Sequence, residues 1–178
     1  MSRINQKKLK VIILGSSGIL GRSIYSSLNK KLIKVVDTGL QKRKYDFLKI
    51  KELEKLISKI NPDVLINCSG LTDIDFCERN KKKAYLINSN LIHDIFKIKK
   101  KHNFNFYFIQ FSTDHFYDSK NKKTSTEKVK HKILNYYTKT KLLAEKICIK
   151  NSNYLILRVN FFGKSMTRKE TLSDWILN

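Results

Sequence analysis

The stretch Val11-Ile12-Ile13-Leu14-Gly15-Ser16-Ser17-Gly18-Ile19-Leu20-Gly21 decides how the rest of the chain is read. Its four leading apolar residues, with no polar alternation, suit a strand buried on both faces. Gly15, Gly18 and Gly21 follow in a GxxGxxG run that takes three of the chain's six glycines. Leu20, Ile24 and Leu28 then recur at helical spacing. Strand, glycine turn and amphipathic helix in this order make a cradle for a diphosphate. Gly15 permits the tight turn, Gly18 lets backbone approach the ligand, and Gly21 lets the helix lie close to the strand. Ser16, Ser17, Ile19 and Leu20 complete the turn and open the helix, where free N–H groups and the dipole favour an anion.

The alternation continues outward from this turn. Apolar runs of strand length fall at 10–14, 32–36, 64–67, 104–111 and 154–159. Between them, Leu53, Leu56, Ile57 and Ile60 line one helical face, Ala84, Ile87, Leu91 and Ile95 a second, and Leu143 and Ile147 a third. Strands and helices alternating at these lengths predict an α/β fold with a parallel sheet. Ligands of such sheets bind beyond the carboxyl ends of the strands. The chemistry is therefore expected just after Leu14, Val36, Cys68, Ser112 and Val159.

Composition narrows the classes. A length of 178 residues accommodates one domain with its own core, or that and a stub. No apolar run approaches the ~20 residues that span a bilayer, and the run after the basic Met1–Lys10 segment is too short for a signal peptide. A cytoplasmic protein with no membrane partner is expected. Cys68, Cys77 and Cys148 are odd in number and form no CxxC pair, which argues against a disulfide framework or a metal site. The formal charge of +22 would suit a nucleic-acid binder, but only six of the 37 basic residues are Arg, the side chain that makes bidentate contacts to bases and phosphates. The other 31 are Lys, spread over every segment. Solvated surface lysines explain the charge better than a dedicated nucleic-acid face.

Each strand end offers candidates. Asp37 closes the second strand, where an acid commonly binds an adenosine ribose 2′-OH. Lys42, Arg43 and Lys44 follow and suit a 2′-phosphate instead, and Asp37 also reads as a turn residue before Thr38-Gly39, so the choice of NADH or NADPH stays open. Cys68, Ser69 and Gly70 are small residues against which a cofactor can lie, or simply the start of a loop. Ser112-Thr113-Asp114 offers hydroxyls to a substrate carbonyl, or an ST-turn. Tyr137 and Lys141 in YxxxK spacing fall on one helix face a turn apart. An ammonium so placed is expected to lower the phenol's pKa from ~10 towards neutrality, giving a usable acid/base.

Taken together these residues resemble the extended short-chain dehydrogenase/reductases, most closely the dTDP-4-dehydrorhamnose reductase group. The similar stretches are Gly15 to Gly21, Asp37 through Asp46-Phe47, Asn61-Pro-Asp-Val-Leu-Ile-Asn67 and Thr72-Asp-Ile-Asp-Phe-Cys-Glu78. They continue with Phe111-Ser-Thr-Asp-His-Phe116, Asn135-Tyr-Tyr-Thr-Lys-Thr-Lys-Leu142 and Arg158-Val-Asn-Phe-Phe-Gly163. The resemblance implies a Rossmann-type, doubly wound, three-layer fold that binds NADPH or NADH and reduces a nucleotide-activated 4-keto-sugar. Tyr137 would protonate the keto oxygen, Thr113 would bond the same oxygen, and Lys141 would hold the nicotinamide ribose. Asp46 and Phe47 would border the adenine, Cys68, Ser69 and Gly70 would line the middle of the cofactor, and Asn88 matches a family Asn near the site. His115 departs from the Tyr usual in the group. Residues 1–163 would be the cofactor domain and 164–178 the start of a truncated substrate-binding region. A truncated gene, a split gene or a partner supplying the missing lobe would account for this, and a homo-oligomer is the other association expected. A non-catalytic NAD(P)-binding regulatory module, resembling the regulatory subunit of methionine adenosyltransferase, is the alternative.

Overall fold

The structure is a computed structural model that describes residues 7–37, 46, 48–117, 126–127 and 131–160. Five strands, β1 (Leu9–Leu14), β2 (Ile33–Asp37), β3 (Val64–Asn67), β4 (Tyr107–Thr113) and β5 (Tyr154–Val159), form one sheet ordered β2-β1-β3-β4-β5. Every neighbouring pair is parallel. Among the described residues six α-helices join them: α1 (Ile19–Ser27), α2 (Ile50–Ile60), α3 (Ile74–Arg79), α4 (Lys81–Tyr85), α5 (Leu91–Lys101) and α6 (Tyr136–Ile149).

The unalternating strand patterns are explained by what covers them. Ile12, Leu14, Leu65 and Phe108 face Leu53, Leu56 and Ile57 of α2, Leu91, Ile92 and Ile95 of α5, and Ala144 and Cys148 of α6. Val11, Ile13 and Ile66 face the opposite way, against Ile24, Tyr25 and Leu28 of α1. The result is a three-layer, Rossmann-type α/β fold, as expected for a sheet buried on both faces. The chain moves from β1 to β2 on one side and returns across β1 to β3. The loops after β1 and β3 therefore part at a topological switch point, where such folds form a ligand crevice.

Two elements differ from their periodicity. The fourth strand begins at Tyr107 rather than Phe104 and runs on to Thr113. Asn103 adopts a left-handed φ of 53° and the Phe104 N–H bonds the Lys99 carbonyl, which closes α5 and holds residues 104–106 outside the ladder. The helix traced from Ala84 to Ile95 is interrupted by a π-helical turn over Leu86–Asn90. That wider turn brings both Asn88 and Ser89 to the buried side, which a 3.6-residue period does not anticipate.

Candidate active site

The glycine turn sits at the switch point and is shaped by close approach. Gly15 has φ +76°, and a Cβ added there would fall 2.7 Å from the Ser69 backbone nitrogen and 2.8 Å from the Cys68 carbonyl carbon. A Cβ on Gly21 would run into the Gly15 carbonyl oxygen. At Gly18 a Cβ would meet only that oxygen, at an ordinary 3.4 Å, so its outer side is open. Gly18 is also the N-cap of the nine-residue α1; no side chain caps this end and no acid lies in its first turn. Ser16 is fully buried, whereas Ser17 is exposed and Ile19 and Leu20 are half-buried. A diphosphate laid here would meet the first N–H groups of α1 and the positive end of its dipole, so the cradle fits that group.

Thr113, Tyr137 and Lys141 converge beside it from two elements. The α6 start is fixed by a capping box: Asn135 accepts from the Thr138 N–H at 2.8 Å, while Thr138 Oγ1 accepts from the Asn135 N–H at 3.2 Å. One turn in, Tyr137 and Lys141 are 7% and 6% exposed. Thr113, at the carboxyl end of β4, shares a hydrogen bond with the Tyr137 phenol. Lys141 Nζ donates to the Phe111 carbonyl at 2.6 Å. A Cβ on Gly70 would lie 3.9 Å from Lys141 Nζ and 3.5 Å from Asn88 Oδ1, so Gly70 opens directly onto the ammonium. Beside Thr113, the buried Ser112 hydroxyl has no hydrogen-bond partner among the described residues.

The electrostatics correct one expectation. Lys141 does not pull the Tyr137 phenol down in pKa. Burial pushes it above its ordinary value, the Thr113 hydrogen bond opposes that, and Cys77 and Asp114 add to the rise. Lys141 itself is lowered by burial to about 8, partly offset by Glu145 one turn further along α6. The phenol thus stays protonated, which suits a proton donor better than a base. Burial also pushes the half-buried Cys68 thiol up to about 12, so it is an inert wall rather than a nucleophile.

Other candidates are placed differently. Asn88, 2% exposed, braces the site from behind: its Oδ1 accepts from the Leu71 N–H at 2.8 Å, and its Nδ2 donates to the Leu71 carbonyl and to Thr140 Oγ1 at 3.0 and 3.1 Å. His115 is exposed, with its ring edge-on to Tyr137 at 5.9 Å. Asp46 is exposed at the approach to α2, where its Oδ1 accepts from the Leu48 N–H and it pairs with Lys49. The Asp37 backbone pairs with Ile13 in the sheet, and its side chain lies outside what is described. Phe47, Lys42, Arg43, Lys44 and the segment 161–178 also lie outside the described residues. Gln110 and Glu145 were not singled out in the sequence, and Arg158 entered only as the first residue of a similar stretch. The one available signal was a lone amide inside the apolar run of β4.

The sheet order and the glycine turn define an α/β protein of the Rossmann type. More particularly, the chain belongs to the RmlD substrate binding domain family, whose model matches residues 9–170. It is 25% identical over 173 residues to methionine adenosyltransferase 2 subunit beta from Bos taurus, covering 94% of this chain and 51% of that protein. Against dTDP-4-dehydrorhamnose reductase from Salmonella typhimurium it is 26% identical over 180 residues, covering 93% and 59%. The crystal structure of dTDP-4-dehydrorhamnose reductase from Bacillus anthracis in complex with NADP resembles it in fold, with a TM-score of 0.77 at 23% identity, covering 86% of this chain and 54% of that one. The chain spans about half the length of the curated relatives it matches. No helix among the described residues is long and apolar enough to cross a membrane.

Proposed function

We propose that this chain is the cofactor-binding part of a reductase that converts a nucleotide-activated 4-keto-sugar to its alcohol with NADPH or NADH. The observation that carries the reading is the meeting of Thr113, Tyr137 and Lys141 at the carboxyl edge of β4, next to Gly70 and one loop from the glycine turn. The nicotinamide supplies the hydride when bound. Tyr137, kept neutral by burial, would donate its proton to the keto oxygen. Thr113 orients the phenol and bonds the same oxygen. Lys141 uses the N–H groups not spent on Phe111 to hold a ribose hydroxyl. Gly15 to Gly21 take the diphosphate, Cys68, Ser69 and Gly70 line the middle of the cofactor, and Asp37, Asp46 and Phe47 serve the adenosine end.

In this reading residues 1–163 form the cofactor domain and 164–178 open the substrate region. The remaining sugar-nucleotide contacts come from a substrate lobe, carried further along the same protein or by a partner, and the work is done in the cytoplasm. The resemblance to a methionine adenosyltransferase subunit supports a second reading, a non-catalytic NAD(P)-binding regulatory module. Calorimetry with NADPH and NADH, followed by NAD(P)H oxidation with a dTDP-4-keto-sugar in the presence of a family C-terminal lobe, separates the two. Binding with turnover supports the reductase. Binding without turnover in the reconstituted protein supports the module, and no binding of either dinucleotide sinks both.

A further inference from the structure

A row of four residues crosses the sheet where β1 and β3 end: Leu14, Asn67, Gln110 and Ile156 stand side by side in register. Two are apolar, and the next row inward on the same face holds Leu65 and Phe108. Asn67 and Gln110 are each 1% exposed, in a place where an apolar pair would pack without any polar group to satisfy. Their amides are nevertheless fully directed. Asn67 Nδ2 donates to Gln110 Oε1 at 2.8 Å, and Gln110 Nε2 donates to the Phe111 carbonyl at 2.8 Å. That carbonyl is the one that also accepts from Lys141 Nζ. At the other end, Asn67 Oδ1 accepts from the Ser69 N–H at 3.2 Å and from its hydroxyl at 2.5 Å. The Ser69 nitrogen is in turn the atom that limits the space at Gly15.

We propose that the buried Asn67–Gln110 amide pair is a positioning device that fixes the Ser69 backbone and the Lys141 ammonium as one unit. The proposal rests on the glycine turn, the Ser69 loop and Lys141 forming the dinucleotide site. Ser69, Asn67, Gln110 and the Phe111 carbonyl make an unbroken line of donors and acceptors, which polarise one another in a site shielded from water. Beyond Gln110, β4 runs on without β3 beside it, and the Phe111 carbonyl takes two side-chain donors. Gln110 steadies that oxygen, and the oxygen steers the ammonium. Asn67 holds the opposite wall of the crevice, so the spacing between the cofactor's central stretch and its ribose anchor is set by one amide contact.

The test uses this chain with Gln110→Leu, which removes both bonds at similar volume, and Gln110→His, whose neutral ring offers one acceptor and one donor. Two readouts are taken: the Lys141 titration in ligand-free protein, by NMR of Cε-labelled lysine, and calorimetric affinity for NADPH. Gln110→Leu should move the Lys141 titration downward and weaken NADPH on the order of 10-fold, a size in keeping with an ångström-scale misplacement. Gln110→His should restore part of both. If Gln110→Leu does not fold, the Asn67→Leu/Gln110→Leu variant leaves no stranded amide and should show the same two losses. A folded variant of either kind with the wild-type titration and affinity overturns the proposal. Failure of the wild-type chain to bind NADPH would sink the cofactor reading instead, because the Lys141 titration is read without a dinucleotide and still decides the positioning role.

Discussion

Arg158 closes a two-point ion pair on Glu145: its Nε donates to Oε1 at 2.9 Å and its Nη2 to Oε2 at 2.7 Å. The Glu145 side chain is 1% exposed and the Arg158 side chain 15%. Arg158 Nη1 also donates to the Tyr117 hydroxyl at 2.9 Å. One residue of β5 thus ties α6 to the turn that follows Thr113. Bidentate geometry makes such a pair strong, but removing one partner strands a buried charge. Glu145→Gln and Arg158→Met should each destabilise by about 3–5 kcal/mol. For a chain of this size that lowers Tm on the order of 10 °C. The Glu145→Leu/Arg158→Met double variant should lose less than either single one. Thermal scans showing additive losses would contradict the ion-pair account.

Lys141 makes the fold's stability depend on pH, with a sign that can be worked out. Burial lowers its folded value from 10.5 to about 8. Between those limits the unfolded chain holds a proton that the folded chain has lost. Stability therefore rises with pH across that window, and below pH 8 the full cost of burying the ammonium is felt. At 1.36 kcal/mol per pKa unit the cost is up to about 3 kcal/mol. Lys141→Met should raise Tm at pH 7 by several degrees and remove the rise between pH 8 and 10.5, while weakening NADPH. Denaturant titrations at pH 7 and 9.5 check the first part. A destabilised Lys141→Met at pH 7 would show that the bond to Phe111 outweighs the burial.

Tyr137 is held protonated, so its loss should not depend on pH below 10. Tyr137→Phe keeps the ring that packs with Cys77 and Ala84 and removes only the donor. In the protein reconstituted with a family C-terminal lobe, turnover should fall ~10²–10⁴-fold, the usual worth of a positioned general acid. Calorimetric affinity for NADPH should hold at the wild-type level. A full rate with Phe at 137 would remove Tyr137 from the chemistry. A rate that recovers as pH falls would mean that the solvent already supplies the proton.

The glycine turn and the Tyr137–Lys141 spacing were legible in the sequence because both are local: the residues that matter lie within one turn of chain or helix. The parallel sheet was legible for a related reason, since strands covered on both faces carry no alternation. Lys141's anchor was not, because the Phe111 carbonyl is 30 residues away and any residue supplies a carbonyl. The rise in the Tyr137 pKa was missed for want of its burial, which only the packed helices reveal. Asn88 entered through the resemblance, and as a polar residue on an apolar helical face it could also have been picked out by pattern. The same logic applied to Gln110 inside the apolar run of β4 would have flagged it, but its amide partner Asn67 is 43 residues away and no local pattern joins the two.

The three glycines of the turn should separate fold from binding. Gly15→Ala meets a positive φ and backbone atoms at 2.7–2.8 Å, and Gly21→Ala meets the Gly15 carbonyl. Neither neighbour is a flexible side chain, so strain alone should cost about 1–3 kcal/mol at Gly15, with the clash added. Both variants should lose Tm, and both should weaken binding only because the loop shifts. Gly18 is different: its added Cβ finds van der Waals contact at 3.4 Å and nothing else. Gly18→Ala should fold as the wild type does. Gly18→Asp should also keep its Tm, or gain slightly, because a carboxylate at the start of α1 favours the dipole. That same carboxylate would occupy the place and carry the charge of a diphosphate. Calorimetry should then show NADPH binding lost in Gly18→Asp alone among variants of unchanged stability. Equal affinity in Gly18→Asp and wild type, with both folded, would place the diphosphate somewhere other than the N-terminus of α1.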